Sequence, residues 1–364
     1  MGEPFKNLVS QKVINKLAND IKTVYHPFQT NEFIQSIMDE TWESLELKQR
    51  VNRIAENLKI YLPDNYKEAI SIIDKVIANY GNWLDEFCWF FPTFVELYGL
   101  DDENWDTSID AMARYTKHSS AEFAVRPFIV KDQKRMMNQM YEWSKSDCEH
   151  IRRLSSEGCR PALPWGMGIP SLKKDPTPVL LILEQLKNDP AVYVRKSVAN
   201  NLNDISKTHP EIVVKIANEW YGENKEVDWI VKHACRTLLK KGNRDVLALF
   251  GCDDTDSIEV TNFALEQKSI SIGEDITFSF VIKAKKAIKV RLEYGIDYVK
   301  STGKTSQKVF KISEIPLKEN ETKTYTRKHS FEDVSVRKHY SGIHGVTLII
   351  NGAEQGKLEF ELKK

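Results

Sequence analysis

The hydrophobic period changes once along this chain, near Asp256, and no single motif constrains the architecture as much. Before that point apolar residues recur every three or four positions. Val13, Ile14, Leu17, Ile21 and Val24 fall near one helical face, as do Val51, Ile54, Leu58 and Leu62. After it, runs such as SISIGEDITFSFVIKA, AIKVRLEYGIDYV and GKLEFELKK alternate residue by residue, which is strand patterning. At 364 residues the chain is longer than one core usually serves. It reads as a helical domain over residues 1–252, an acidic linker over 253–259 and an all-β domain over 260–364. About seven short strands fit an immunoglobulin-like sandwich. The stretch holds neither Trp nor Cys, which favours the fibronectin-like variant.

A single phrase recurs within the helical domain: EFAVRPF, EHIRRLSSEG, VYVRKSVANNL and WIVKHACRTLL. An aliphatic residue precedes a basic one at Val125-Arg126, Ile151-Arg152, Val194-Arg195 and Val231-Lys232, in steps of 26, 43 and 37 residues. The last two steps suit the antiparallel helix pairs, about 40 residues each, of a HEAT-like α-solenoid. The repeated basic position is then expected to line a concave wall. Pro63-Asp64-Asn65 marks a helix start, and Gly81 suits a helix C-cap. The segment Cys159–Pro178 has five prolines and two glycines and cannot be one regular helix. It reads as a long loop or lid around Trp165, whose ring either serves a site or plugs the solenoid.

Charge is balanced, 52 basic against 52 acidic residues, but unevenly distributed. Residues 1–150 carry 17 basic and 24 acidic groups, 151–244 carry 16 and 10, and 261–364 carry 19 and 13. Two basic regions suggest a polyanion held between them, or ordinary solvated surface. Five cysteines without a C-x-x-C pair point to free thiols. His118, His150, His209 and His233 lack ligand spacing, so no metal site is expected. The longest apolar cluster, Phe87 to Tyr98, is interrupted by Pro92 and Glu96, and the N-terminus lacks a secretory core. A cytoplasmic, nucleoid-associated protein is expected. Walker, dinucleotide, nucleophile-elbow and zincin motifs are missing from the sequence.

Three carboxylates stand at the ends of the recurring phrases, beside bases: Glu122, Glu157 and Asp204. Such acids can cap helices or pair with arginine. Gathered on one wall, they would instead repel one another until a cation relieved the repulsion.

The phrases SSAEFAVRPF, IRRLSSEGCRPALPW and DPAVYVRKSVANNLNDISKTHP resemble the HEAT-like-repeat alkylpurine DNA glycosylases, specifically the AlkC-type branch. LELKQRVNRIAENL and LPDNYKEAISII fit its N-terminal region, and the β domain resembles its immunoglobulin-like appendage. Ala162 departs from the usual basic residue after Arg160-Pro161, which implies one phosphate contact fewer. The resemblance implies excision of bases alkylated at N3, chiefly 3-methyladenine and also 3-methylcytosine, from alkylated double-stranded DNA. It further implies a monomer that needs no cofactor, metal, membrane or obligate protein partner.

By this carry-over Glu122, Glu157 and Asp204 form the acidic cluster and Trp165 belongs to the active-site loop. Glu157 is expected nearest the sugar, with Asp204 orienting water and Glu122 bracing the site. Arg152, Arg153, Arg160, Arg195, Lys196 and Lys232 are expected at phosphates. Lys283, Lys285, Lys286 and Lys289 on an early β strand, and Lys338 and His339 beside Arg337, form a second DNA-facing group. No lysine stands out as a nucleophile, so the expected enzyme is monofunctional, leaves an abasic site and acts without base flipping. A noncatalytic HEAT-repeat scaffold and a damage-binding protein without turnover are the alternatives.

Overall fold

The computed structural model describes residues 4–81, 87–334 and 337–364. Two compact units form. One is the chain up to Thr208 with Gly222–Ala234, and the other is His209–Tyr221 with Cys235–Lys364.

In the first unit, the helices carrying the last three recurring phrases, Glu149–Glu157, Val192–Ile205 and Lys225–Ala234, pack side by side in chain order. Gln133–Trp143 and Thr177–Leu186 pack behind them as a second layer. This is the HEAT-like arrangement the repeat spacing predicts, because each helix buries its apolar stripe only against its neighbours. Local signals set the helix ends. The Asn65 side chain accepts from the Glu68 backbone N–H at 3.1 Å, as the Pro63-Asp64-Asn65 break requires, and Asp132 accepts from Arg135 N–H at 3.0 Å. Gly81, expected as a C-cap, does not serve as one. The helix Tyr66–Ile77 stops earlier, where Asn79 and Tyr80 N–H turn back to Val76 and Ile77 at 3.0 and 2.9 Å.

The proline-rich segment is more ordered than expected. A short helix, Pro170–Lys174, lies inside it, and another begins at Thr177. Pro170 and Pro178 occupy the first turns, where a missing N–H costs nothing. The true loop is therefore Cys159–Ile169.

The second unit contains β1 (Ile258–Leu265), β2 (Ser269–Ser271), β3 (Asp275–Ala284), β4 (Ile288–Val299), β5 (Thr305–Leu317), β6 (Thr322–Ser330), β7 (Gly342–Ile350) and β8 (Ala353–Lys363). Strands β1-β3-β6 make one sheet and β2-β8-β7-β4-β5 the other. Only β2–β8 is parallel; β2, three residues long, opens the alternating run that also holds β3, whereas β1 lies ahead of the alternating runs read from the sequence. Phe278, Phe280 and Ile282 from one sheet, with Leu292, Ile296, Leu348 and Phe360 from the other, form the buried core of an immunoglobulin-like sandwich. Asn351 (φ 48) and Gly352 (φ 76) join β7 to β8, a two-residue turn in which both positions need positive φ. Among the described residues no helix is long and apolar enough to cross a membrane.

Candidate active site

Glu122, Glu157 and Asp204, separated by 35 and 47 positions, come together in one chain of alternating charge. Glu122 accepts from Arg153 at 2.5 Å, and Arg153 reaches Glu157 at 3.8 Å. Arg160 then donates to Glu157 at 2.6 Å and to Asp204 at 2.8 Å, and Lys207 closes the series on the other Asp204 oxygen at 2.8 Å. All three carboxylates are mostly buried, with side chains 13%, 8% and 2% exposed. The repulsion expected of three gathered acids is met from within the protein, because an arginine stands in each gap. Burial alone would pull the Arg153 guanidinium down, but Glu122 and Glu157 hold it well above its ordinary value. Burial and Glu157 act in the same opposed way on Arg160, which ends raised. Arg153 also stacks on Tyr193, 4.6 Å from the ring centre.

The bonding leaves particular oxygens open. Glu122 Oε2 takes both Ser120 and Arg153, and Glu157 Oε1 takes both arginines. Glu122 Oε1 and Glu157 Oε2 accept nothing from the described residues. Both Asp204 oxygens are committed, although Lys207, the outer partner, is 46% exposed along its side chain.

The loop Cys159–Ile169 is held from two sides. Arg126, fully buried, donates from Nη1 to the Gly158 carbonyl at 2.8 Å and from Nε to the Met167 carbonyl at 2.6 Å, pinning both ends. Burial pushes its guanidinium down to about 10, so it stays charged at neutral pH. Lys48 donates to the Trp165 carbonyl and lies 4.3 Å from the centre of the Phe123 ring. Trp165 does not plug the core. It is 62% exposed, has φ 63 and meets Phe5 edge-on at 6.1 Å. A bulky residue is thus held in the left-handed region with its ring exposed.

The remaining expected contacts are differently placed. Arg152 makes a two-point pair with Asp189 at 2.5 and 3.1 Å, and Arg195 donates to the carbonyls of Asp189 and Pro190 at 2.6 and 2.9 Å. Arg160, Arg152, Arg153 and Arg195 are thus engaged by this chain's own acids and carbonyls. Lys196 and Lys232 are exposed. In the second unit Lys338 is exposed, whereas the His339 ring is buried and bonded to Asp333 at 3.1 Å. Of the other lysines, Lys286 pairs with Asp254 at 2.7 Å and Lys289 with Glu314 at 3.0 Å. Sequence reading missed Lys48, Arg126 and Lys207. Arg126 stood in a repeat phrase but was expected to line the concave wall, whereas it is buried.

The structure of Pseudomonas fluorescens alkylpurine DNA glycosylase AlkC, bound to DNA containing an abasic site analog, superposes with a TM-score of 0.93 at 34% identity over 100% of both chains. The chain belongs to the AlkC-type family. Protein YhaZ of Bacillus subtilis (strain 168) is 47% identical over 357 residues, 98% of this chain and 99% of that one. Residues 103–238 match the DNA alkylation repair enzyme model, and residues 259–364 match the C-terminal Ig-like domain model of YhaZ. The stretch matched as alkylation repair enzyme holds Glu122, Glu157, Asp204 and Trp165, so in this AlkC-type chain the alternating series lies within the family's repair module.

Proposed function

We propose that this protein is a monofunctional DNA glycosylase that hydrolyses the N-glycosidic bond of cationic N3-alkylated bases, 3-methyladenine and 3-methylcytosine, in double-stranded DNA. The observation that carries this reading is the series Glu122–Arg153–Glu157–Arg160–Asp204–Lys207 with its two open carboxylate oxygens. Alkylation at N3 gives the base a positive charge, so it departs with the electron pair of the C1′–N bond and becomes neutral. No proton donor is needed. Positive charge develops on the sugar instead, and Glu157 Oε2 is the acceptor assigned to face it. A carboxylate about 4 Å from that charge contributes up to about 4 kcal/mol at an effective dielectric of about 20, close to a thousandfold in rate.

Water adds at C1′ and loses its proton to a carboxylate. Asp204 takes this role once Lys207, the exposed end of the series, is drawn from Oδ1 to a DNA phosphate. Glu122 holds Arg153 in place. Because the carboxylates act on the sugar, cleavage does not require the base to be enclosed first, unlike enzymes that flip their target. Trp165 supplies the exposed ring against the distorted duplex, with Lys196, Lys232 and Lys338 on phosphates.

The test is incubation with alkylated double-stranded DNA, with released bases identified by mass spectrometry. The expected products are 3-methyladenine, 3-methylcytosine and abasic sites in unbroken strands. Absence of released base, or strand cleavage without added base or lyase, overturns the reading.

A further inference from the structure

Beside the carboxylate series lies a cavity of about 200 Å³ that takes no role in the bond cleavage described for that series. The helix Leu47–Tyr61 supplies Lys48 and Asn52, and the Phe90–Tyr98 helix with its cap supplies Trp89, Thr93 and Glu96. Trp89, Thr93 and Glu96 are spaced four and three apart, so they share one face. Phe123 meets Trp89 edge-on at 5.6 Å and forms the second aromatic wall. Ser120, which donates to Glu122, and Gly166 and Met167 of the Trp165 loop complete the lining. The Glu96 carboxyl accepts no hydrogen bond from a described residue. Burial pushes it up, and only the Lys48 charge opposes that. Two aromatic walls, an open carboxyl and an ammonium make a small site for a flat heterocycle with donor and acceptor edges. Its volume suits one base rather than a nucleotide.

We propose that this cavity is the exit subsite for the excised base, taking a flat, amine-bearing heterocycle whose exocyclic amine donates to Glu96. The inference rests on the glycosylase reading for the origin of its ligand. Its test uses the full chain without DNA: titration with free 3-methyladenine and with 3-methylhypoxanthine, which lacks the amine, followed by calorimetry. Binding of 3-methyladenine at least tenfold tighter than 3-methylhypoxanthine is expected. Glu96→Gln should remove that preference and Glu157→Gln should keep it. Phe123→Leu, a second probe, should weaken both ligands about equally. Equal affinity for the two bases, no binding of either, or a preference lost in Glu157→Gln but kept in Glu96→Gln overturns the subsite. Such a failure is distinct from failure of the glycosylase reading, which is judged by base release from DNA.

Discussion

Two buried polar clusters, one in each unit, are built in opposite ways. In the helical unit Glu122, Arg153, Glu157, Arg160 and Asp204 form a mostly buried series in which each acid lies beside a base, with carboxylate oxygens left open. In the β unit His329 is buried uncharged, its two ring nitrogens bonded to the hydroxyls of Tyr294 and Tyr298 at 3.0 and 2.6 Å. Burial pushes His329 down to about 4 and Tyr298 up to about 12, so both stay neutral at pH 7. One cluster is closed on itself and holds a core together. The other leaves Glu122 Oε1 and Glu157 Oε2 without a donor among the described residues, which is what the proposed site requires.

Removing a charge separates the two most strongly. Arg160→Met leaves Glu157 and Asp204 facing each other in a buried place, and a loss of about 3–5 kcal/mol is expected by urea denaturation. Acid should act on the β cluster next. Above the unfolded histidine value near 6.5 both states are neutral and the packing is intact; below it the unfolded chain takes the proton first. Stability therefore drains between pH 6.5 and 4, by about 3 kcal/mol in all from His329. The share of the pH profile that His329→Gln removes measures this contribution.

Trp165→Ala should change stability by less than about 0.5 kcal/mol, since the ring is exposed. Base release should nevertheless fall by about tenfold or more, and an unaltered single-turnover rate would remove Trp165 from the site. The smallest effect is expected at Lys338→Ala. A lowering of the salt-dependence slope of DNA binding by about one unit would place Lys338 at a phosphate, and an unchanged slope would not.

The architecture was largely legible because period and repeat spacing report directly on which face is buried. EFAVRPF, IRRLSSEG and VANNLND located all three carboxylates, and alternation after Asp256 located the sandwich. The partners of the arginines were not legible. Arg126, Arg152 and Arg195 follow an aliphatic residue in the same way, yet one is sealed inside, one pairs with Asp189 and one bonds backbone carbonyls. Spacing assigns a side to a long flexible side chain but not the group its far end reaches. Lys48 and Trp165 are 117 positions apart, and no local pattern connects them. The prolines at 170 and 178 read as breakers because a first-turn proline and a loop proline look alike until the helix behind them is seen.

In the proposed reaction the open Glu157 oxygen stabilises a sugar turning positive. Glu157→Gln keeps the shape and the oxygen toward Arg160 while removing the charge, so single-turnover release of 3-methyladenine from methylated DNA, measured beside DNA affinity, tests it most directly. Release is expected to fall at least about a hundredfold, with affinity changed less than about threefold. Release at the parent rate by a folded Glu157→Gln protein would contradict it.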